Sequence, residues 1–228
     1  MSTISCCRSC RASKLESVLD FGSTPLANSL LTDAQKNQPE ARYSLHLVWC
    51  PACTLLQITE SVPAETLFRH YFYRSSFSDS FLAHCKVLAE RVTKERRLTK
   101  KSLVIDIASN DGYLLQLYKE KGIPVLGIEP AANIAVIAQE KGILTRNTFF
   151  TKAEAEQIVT RYGRADVIHA HNVLPHVADQ RDFVSGIAVL LQPQGIAVIE
   201  FAYAMDTIDH TEFDQVYHEH LCYFSLTA

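Results

Sequence analysis

The stretch SLVIDIASNDGYLL, residues 102–115, decides how the rest of the chain is read. Its first half, Ser102–Ala108, is a short apolar run, the pattern of a strand buried on both faces. Its second half turns through Ser109, Asn110, Asp111 and Gly112 and feeds a helical pattern over Tyr113–Lys121. A strand, a tight polar turn and a helix in that order open a nucleotide-cofactor fold. A dinucleotide fingerprint would place three glycines at GxGxxG spacing, so that a pyrophosphate can approach the backbone. Here Gly112 stands alone, and Ala108 and Asn110 precede it. Such a loop suits a ligand without a pyrophosphate, held by side-chain and backbone hydrogen bonds.

Downstream the same alternation continues. Gly122 ends the helix, and Val125–Ile128 is a second strand closing at Glu129-Pro130. Helix 131–141, strand 143–145, helix 152–161, strand 166–170, helix 180–191 and strand 196–201 follow. Apolar strands separated by helices predict a parallel, Rossmann-like α/β sheet covered on both faces. Glu129 is placed to accept both hydroxyls of a ribose, and with the glycine-poor loop this favours S-adenosylmethionine (SAM) over NAD. The expected cofactor-binding set is Asp106, Ala108, Ser109, Asn110, Gly112, Tyr113, Glu129 and Pro130. After the third strand many SAM proteins place an acidic residue against the adenine amino group. This chain has Asn147-Thr148-Phe149-Phe150, so Phe149 is expected to pack on the ring.

Upstream, residues 65–98 carry helical periodicity, with Phe77, Phe81, Leu82, Cys85, Leu88, Ala89 and Val92 on one face. Before them, Cys7-Arg-Ser-Cys10 and Cys50-Pro-Ala-Cys53 make two CxxC pairs. Each pair brings two thiolates to one ion from a single turn, and two pairs complete a tetrahedral sulfur site for zinc. Four protein ligands leave no open position, so the Zn2+ is expected to be structural. Residues 11–49 then form a strand-and-loop excursion between the knuckles. The alternative is reduced, metal-free thiols or a redox pair. The segments read as 1–63, a zinc-binding module; 64–101, helix and linker; and 102–228, a cofactor domain incomplete at its C-terminus.

Composition bounds the function. The chain has 228 residues, 47 % hydrophobic and 21 % charged, with a formal net charge of −3. That balance gives no electrostatic case for nucleic acid or an anionic membrane. No apolar run approaches the roughly 20 residues that span a bilayer. No secretory leader is expected at the N-terminus, and the cytoplasm is the expected location.

The densest chemistry lies in DQVYHEHLCYFS, residues 214–225. Strand alternation would send Tyr217 and Glu219 to one face and His218 and His220 to the other. A tight turn would instead converge several of them on one atom. Groups of this kind suit proton abstraction.

These motifs together resemble the deoxysugar C-methyltransferases, which act on nucleotide-activated keto sugars. The resemblance rests on the paired CxxC knuckles, TPLANSLL (residues 24–31), Tyr71–Ser76, DIASNDGYLL (106–115), GIEP (127–130), HNVLPHV (171–177) and VYHEHLCYFS (216–225). It spans essentially the whole chain. Members of that family are nearly twice this length, so the chain resembles an N-terminal portion of one. Self-association or a complementing C-terminal chain would then supply the remainder.

The resemblance implies a class I SAM-dependent methyltransferase in which a proton alpha to a ketone is removed and the enolate takes the methyl group. By that resemblance His220 is the general base, and Tyr217 and Glu219 orient the sugar and the base. His176 lies near the keto oxygen, Tyr73 closes over the sugar, and Asn172 lines the methionine side of the SAM pocket. His218 is expected to be structural. Two other readings stay open: SAM-dependent methylation of oxygen or nitrogen, and a non-catalytic zinc-bearing interaction module.

Overall fold

The computed structural model describes residues 2–228, which group into two compact units. The first comprises the chain through Pro63 together with Leu174–Gln180 and Phe201–Ala228. The second comprises Ala64–Val173 and Arg181–Glu200.

The second unit is built on the parallel sheet anticipated from residues 102–201. Its strands lie in the order Leu191–Glu200, Ala165–His171, Val104–Ile107, Val125–Ile128, Thr145–Arg146, all parallel. The chain therefore starts in the middle, runs to one edge, and returns to the other side of its first strand. The two loops at that reversal, after Ile107 and after His171, diverge at the carboxyl end of the sheet, where open α/β folds bind ligands. Leu191 pairs with Ala165 and Ile196 with Val167, so the edge strand starts earlier than expected and carries an irregularity through Pro193 and Gly195. Proline at this site is tolerated because the strand is an edge.

The predicted helix over 65–98 is broken into Ala64–Phe68, a 3-10 turn at Ser75–Phe77, and the long helix Asp79–Arg96. Ser78 caps that helix by accepting from the Phe81 N–H, and Arg97 ends it in the left-handed conformation. Cys85, Leu88, Ala89 and Val92 face the core with Leu114, Leu115, Tyr118 and Ile123. Phe77, expected on that face, lies before the cap and is 73 % exposed. Its apolar character fits the helical period, but the period does not extend through the 3-10 turn.

The first unit has a four-stranded antiparallel sheet in the order Cys222–Tyr223, Leu56–Ile58, Tyr43–Trp49, Glu16–Thr24. Residues 11–49 thus supply the expected excursion as a hairpin, with the CxxC turns at its base. Cys222 pairs with Gln57 and Tyr223 with Leu56, so the chain's last strand belongs to the sheet of the cysteine module. Leu45, Leu47, Leu55 and Ile58 bury against Leu221, Cys222 and Tyr223.

No helix among the described residues is long and apolar enough to cross a membrane.

Candidate active site

The two CxxC turns share one local geometry. Cys7 N donates to Ala12 O at 2.9 Å and Arg11 N to Cys7 O at 3.1 Å. Cys50 N donates to Leu55 O at 3.0 Å and Thr54 N to Cys50 O at 2.8 Å. Arg11 and Thr54, the equivalent fifth residues, both have positive φ, at 68° and 62°. Both turns therefore fold back and present their sulfurs on one side. The ligand atoms of Cys7, Cys10, Cys50 and Cys53 lie within 4.8 Å of one another. The Cys7–Cys53 and Cys10–Cys50 sulfur pairs are 3.5 and 3.6 Å apart. A tetrahedral Zn–S length of about 2.3 Å implies sulfur spacings of about 3.8 Å, so the four residues fit zinc. Gln57 Nε2 donates to the Cys7 sulfur at 3.3 Å, while Gln57 Oε1 accepts from Arg8 N at 3.0 Å. Partners of this kind orient metal ligands from behind.

In the same unit, residues 217–220 form a turn rather than the alternating strand, with His220 N donating to Tyr217 O at 3.0 Å. The turn brings the Tyr217 hydroxyl to 3.0 Å from His220 Nε2. His220 Nδ1 lies 2.9 Å from the Gln215 carbonyl oxygen. A carbonyl oxygen only accepts, so Nδ1 carries the ring proton, and the Nε2 lone pair receives the Tyr217 O–H. Burial lowers the His220 pKa below 6.5, only partly countered by the Gln215 carbonyl. Neutral imidazole with its lone pair on Nε2 is the form a general base requires. Burial, and then the charge of Glu219, push the Tyr217 phenol up to about 12. His176 meets the His220 ring edge-on, with centroids 4.9 Å apart. Pro175 O accepts from Leu221 N at 2.8 Å and ties the two segments together. Glu219 is buried and accepts from Asn28 Nδ2 at 2.7 Å. His218 is buried against Tyr43, with Nε2 3.3 Å from its carbonyl oxygen, which matches a structural role.

The cofactor-directed residues lie in the second unit. The loop after Ile107 folds through three left-handed residues, Ala108, Asn110 and Gly112, with φ of 53°, 50° and 78°. Glycine is needed at 112, since a Cβ there would lie 2.9 Å from Ile143 Cγ1. Glu129 Oε2 accepts from Asn110 N at 2.8 Å and Oε1 from Ala131 N at 2.7 Å. Each oxygen keeps further lone-pair capacity for a hydroxyl donor. Burial pushes the Glu129 carboxyl up to about 7, against the pull of those two N–H groups. Burial, with Glu129 nearby, also holds the Asp106 carboxyl well above the usual carboxylate range. Among the described residues, Asp106 Oδ2 and Ser109 Oγ are buried without a hydrogen-bond partner. Buried polar atoms rarely remain unpaired. On that observation the loop fits a polar, hydroxyl-bearing ligand such as SAM.

Other expected residues are placed less directly. Tyr113 is buried in the core against Phe81, with ring centroids 5.3 Å apart. The Pro130 carbonyl accepts from Arg69 Nη1 and from Asn147 Nδ2, both at 3.1 Å. Phe149 carries the Arg69 guanidinium 5.4 Å from its ring centroid. Asn172 is exposed in a left-handed turn, its N–H donating to Glu200 O at 2.7 Å. Tyr73 belongs to the second unit and is 53 % exposed, whereas His220, Tyr217, Glu219 and His176 all belong to the first. The sequence pattern does not announce the tie between this segment and the loop: Asn110 Oδ1 accepts from Ser75 N at 3.0 Å and Asn110 Nδ2 donates to Tyr73 O at 3.2 Å. Ser76 Oγ likewise donates to Asp111 Oδ2.

Residues 79–228 match a family described as "Methyltransferase domain", and residues 7–68 match one described as "Putative zinc binding domain". C-methyltransferase NovU of Streptomyces niveus is 34 % identical over 220 residues, covering 96 % of this chain and 52 % of that protein. The chain therefore spans about half the length of that relative. A ubiquinone biosynthesis O-methyltransferase of Rhodopseudomonas palustris (strain BisA53) is 33 % identical over 99 residues, 42 % of this chain and 38 % of that protein. Among solved structures, a SAM-dependent methyltransferase from Archaeoglobus fulgidus aligns with a TM-score of 0.45 at 16 % identity, over 58 % of this chain and 61 % of that one.

Proposed function

We propose, from the premise that this chain belongs to the methyltransferase-domain family, that it carries the machinery of a SAM-dependent C-methyltransferase acting on a nucleotide-activated keto sugar. The observation that carries this reading is the Tyr217–His220 pair, with Nε2 unprotonated and Nδ1 anchored on Gln215. Methylating carbon requires a carbanion equivalent, and the accessible one is the enolate formed by removing a proton alpha to a ketone. That proton ends on Nε2, either directly or by entering at the Tyr217 oxygen as the phenol proton passes to Nε2. The C–H electron pair moves into the enolate, whose oxygen takes the negative charge. His176, in ring contact with His220, is the group assigned to face that oxygen. SAM, when bound, supplies an electrophilic methyl group on a sulfonium. Glu129 would hold its ribose, with Asp106 and Ser109 completing the polar wall. The likeness to NovU, named as a C-methyltransferase, supports carbon as the acceptor.

The test supplies keto-sugar nucleotides in deuterium oxide. Deuterium entering the alpha carbon, and a new carbon–methyl signal once SAM is added, is the expected outcome. A methyl found on oxygen would sink the carbon reading and favour the O-methyltransferase alternative, which the partial match to the ubiquinone enzyme supports.

Glu129 gives a separate expected result. Ribose hydroxyls donate, so they bind the carboxylate in preference to the acid. With the Glu129 carboxyl pushed up to about 7, SAM affinity should rise with pH through that value and level off above it. The slope below it is at most ~10-fold per pH unit. Calorimetric titration across pH should show this for the native chain and a weak, flat profile for Glu129→Gln. A Glu129→Gln variant that binds SAM as tightly as the native chain would remove the residue from the SAM site.

A further inference from the structure

We propose that Arg8 is the counter-charge of the four-cysteine zinc centre, acting through its positive charge to hold the metal and to quiet the thiolates. The inference stands on the fit of the four sulfurs to zinc and does not depend on which substrate is methylated. Arg8 follows Cys7 inside the first CxxC turn and is buried, only 5 % exposed. Its Nη2 donates to Ile58 O at 3.1 Å, to Glu60 O at 3.4 Å and to Ser61 Oγ at 2.9 Å. All three acceptors are neutral. Among the described residues, Nε is buried without a hydrogen-bond partner, and no carboxylate is ion-paired with the guanidinium. A buried arginine without an opposite charge is rare and costly.

The opposite charge is at the sulfurs. Burial disfavours the charged guanidinium, and the groups that act the other way are Cys222 and Cys7. Cys222 lies outside the metal-ligating set and accepts from Gln180 Nε2 at 2.8 Å. Cys7 is a ligand, and metal binding requires it as thiolate. Zn2+ brings two positive charges and the four thiolates bring four negative ones, so the loaded centre carries an excess of negative charge. Charges in a buried site are weakly screened, and a nearby cation stabilises that excess. A cation beside a thiolate also lowers its basicity and with it its nucleophilicity. Arg8 has a second task that can be separated from this one. Its Nη2 bonds, with Arg8 N on Gln57 Oε1, tie the first knuckle to residues 57–61 whatever the charge.

The experiment compares the full native chain with Arg8→Gln, which removes the charge, and Arg8→Lys, which keeps the charge without the fork. Zinc affinity is measured by chelator competition, and zinc release is timed under iodoacetamide. The same chains are loaded with iron, and the Fe3+/Fe2+ potential is read by redox titration. Reducing iron in a four-thiolate site adds one negative charge, so a nearby cation favours the reduced form. Arg8→Gln should therefore shift the potential to more negative values, weaken zinc binding by about 10–100-fold and release zinc faster on alkylation. Arg8→Lys should stay closer to the native chain in all three. An iron potential that stays put in Arg8→Gln would overturn the proposal. So would equal loss of zinc affinity in both variants, since that is the mark of the tie alone. If Arg8→Gln takes up no metal, Arg8→Lys decides: zinc retained with native release supports the counter-charge, and zinc lost there too overturns it.

Discussion

Replacing His220 by glutamine is expected to reduce methyl transfer by roughly 10²–10⁴-fold, the usual worth of a positioned general base. Glutamine can keep a donor toward the Gln215 carbonyl, but it offers no basic nitrogen to receive a proton. SAM affinity should be unchanged, because the cofactor-directed residues belong to the other compact unit. Deuterium exchange at the alpha carbon should fall in parallel with methyl transfer, since both need the same enolate. The pH dependence has a definite sign. Burial lowers the folded His220 pKa, so the neutral base persists to lower pH than a free imidazole would allow. At saturating SAM, native kcat/KM for the sugar should therefore hold below 6.5 and fall only as pH drops through the depressed pKa. Tyr217→Phe separates the two proton routes: a small loss means that His220 meets the carbon acid directly, a loss comparable to His220→Gln means that the phenol is an obligatory carrier. A His220→Gln variant that exchanges and methylates at the native rate would end the assignment.

The cofactor sheet was readable because its strands are short apolar runs bounded by glycine, proline and acidic residues. Val125–Ile128 has the expected bounds, and the polar turn expected after the first strand is there, folded through residues of positive φ that the sequence pattern did not specify. Periodicity failed where the local pattern is ambiguous. Tyr-His-Glu-His alternates as a strand would, yet His218 is drawn inward against Tyr43 and the backbone closes as a turn. Phe77 fits the helical face by spacing, but Ser78 caps the helix one residue later. Contacts between distant segments left no periodic trace at all. Nothing near Asn28 announces that its partner is Glu219, although the motif containing it stands out. Nor does the sequence order show that residues 201–228 pack with the cysteine module, because that grouping depends on Cys222 and Tyr223 pairing with Gln57 and Leu56.

That pairing makes zinc removal the second large effect. Structural zinc sites contribute about 10–16 kcal/mol in apparent binding free energy at neutral pH. Whole domains are stable by about 5–15 kcal/mol, so a unit organised around such a site is not expected to survive without the metal. The four sulfurs close the base of the hairpin, and Cys7, Cys50 and Cys53 pack with Leu45, Leu47, Leu55 and Ile58 in the cluster that also holds strand Cys222–Tyr223. Two residues before that strand stands His220. Chelation, or Cys50→Ser, should therefore abolish turnover by dissolving the Tyr217–His220 geometry, with no chemistry at the metal itself. Hydrogen exchange would show this as lost protection at Ile58, Thr59 and Leu221, whose N–H groups are paired in that unit. Protection at Val104 and Leu126, in the parallel sheet, should persist. Restoring zinc should restore both protection and activity. A metal-free chain that keeps amide protection around Leu221 yet loses turnover would instead give the metal a direct part in the reaction, which four protein ligands and a closed coordination shell do not provide.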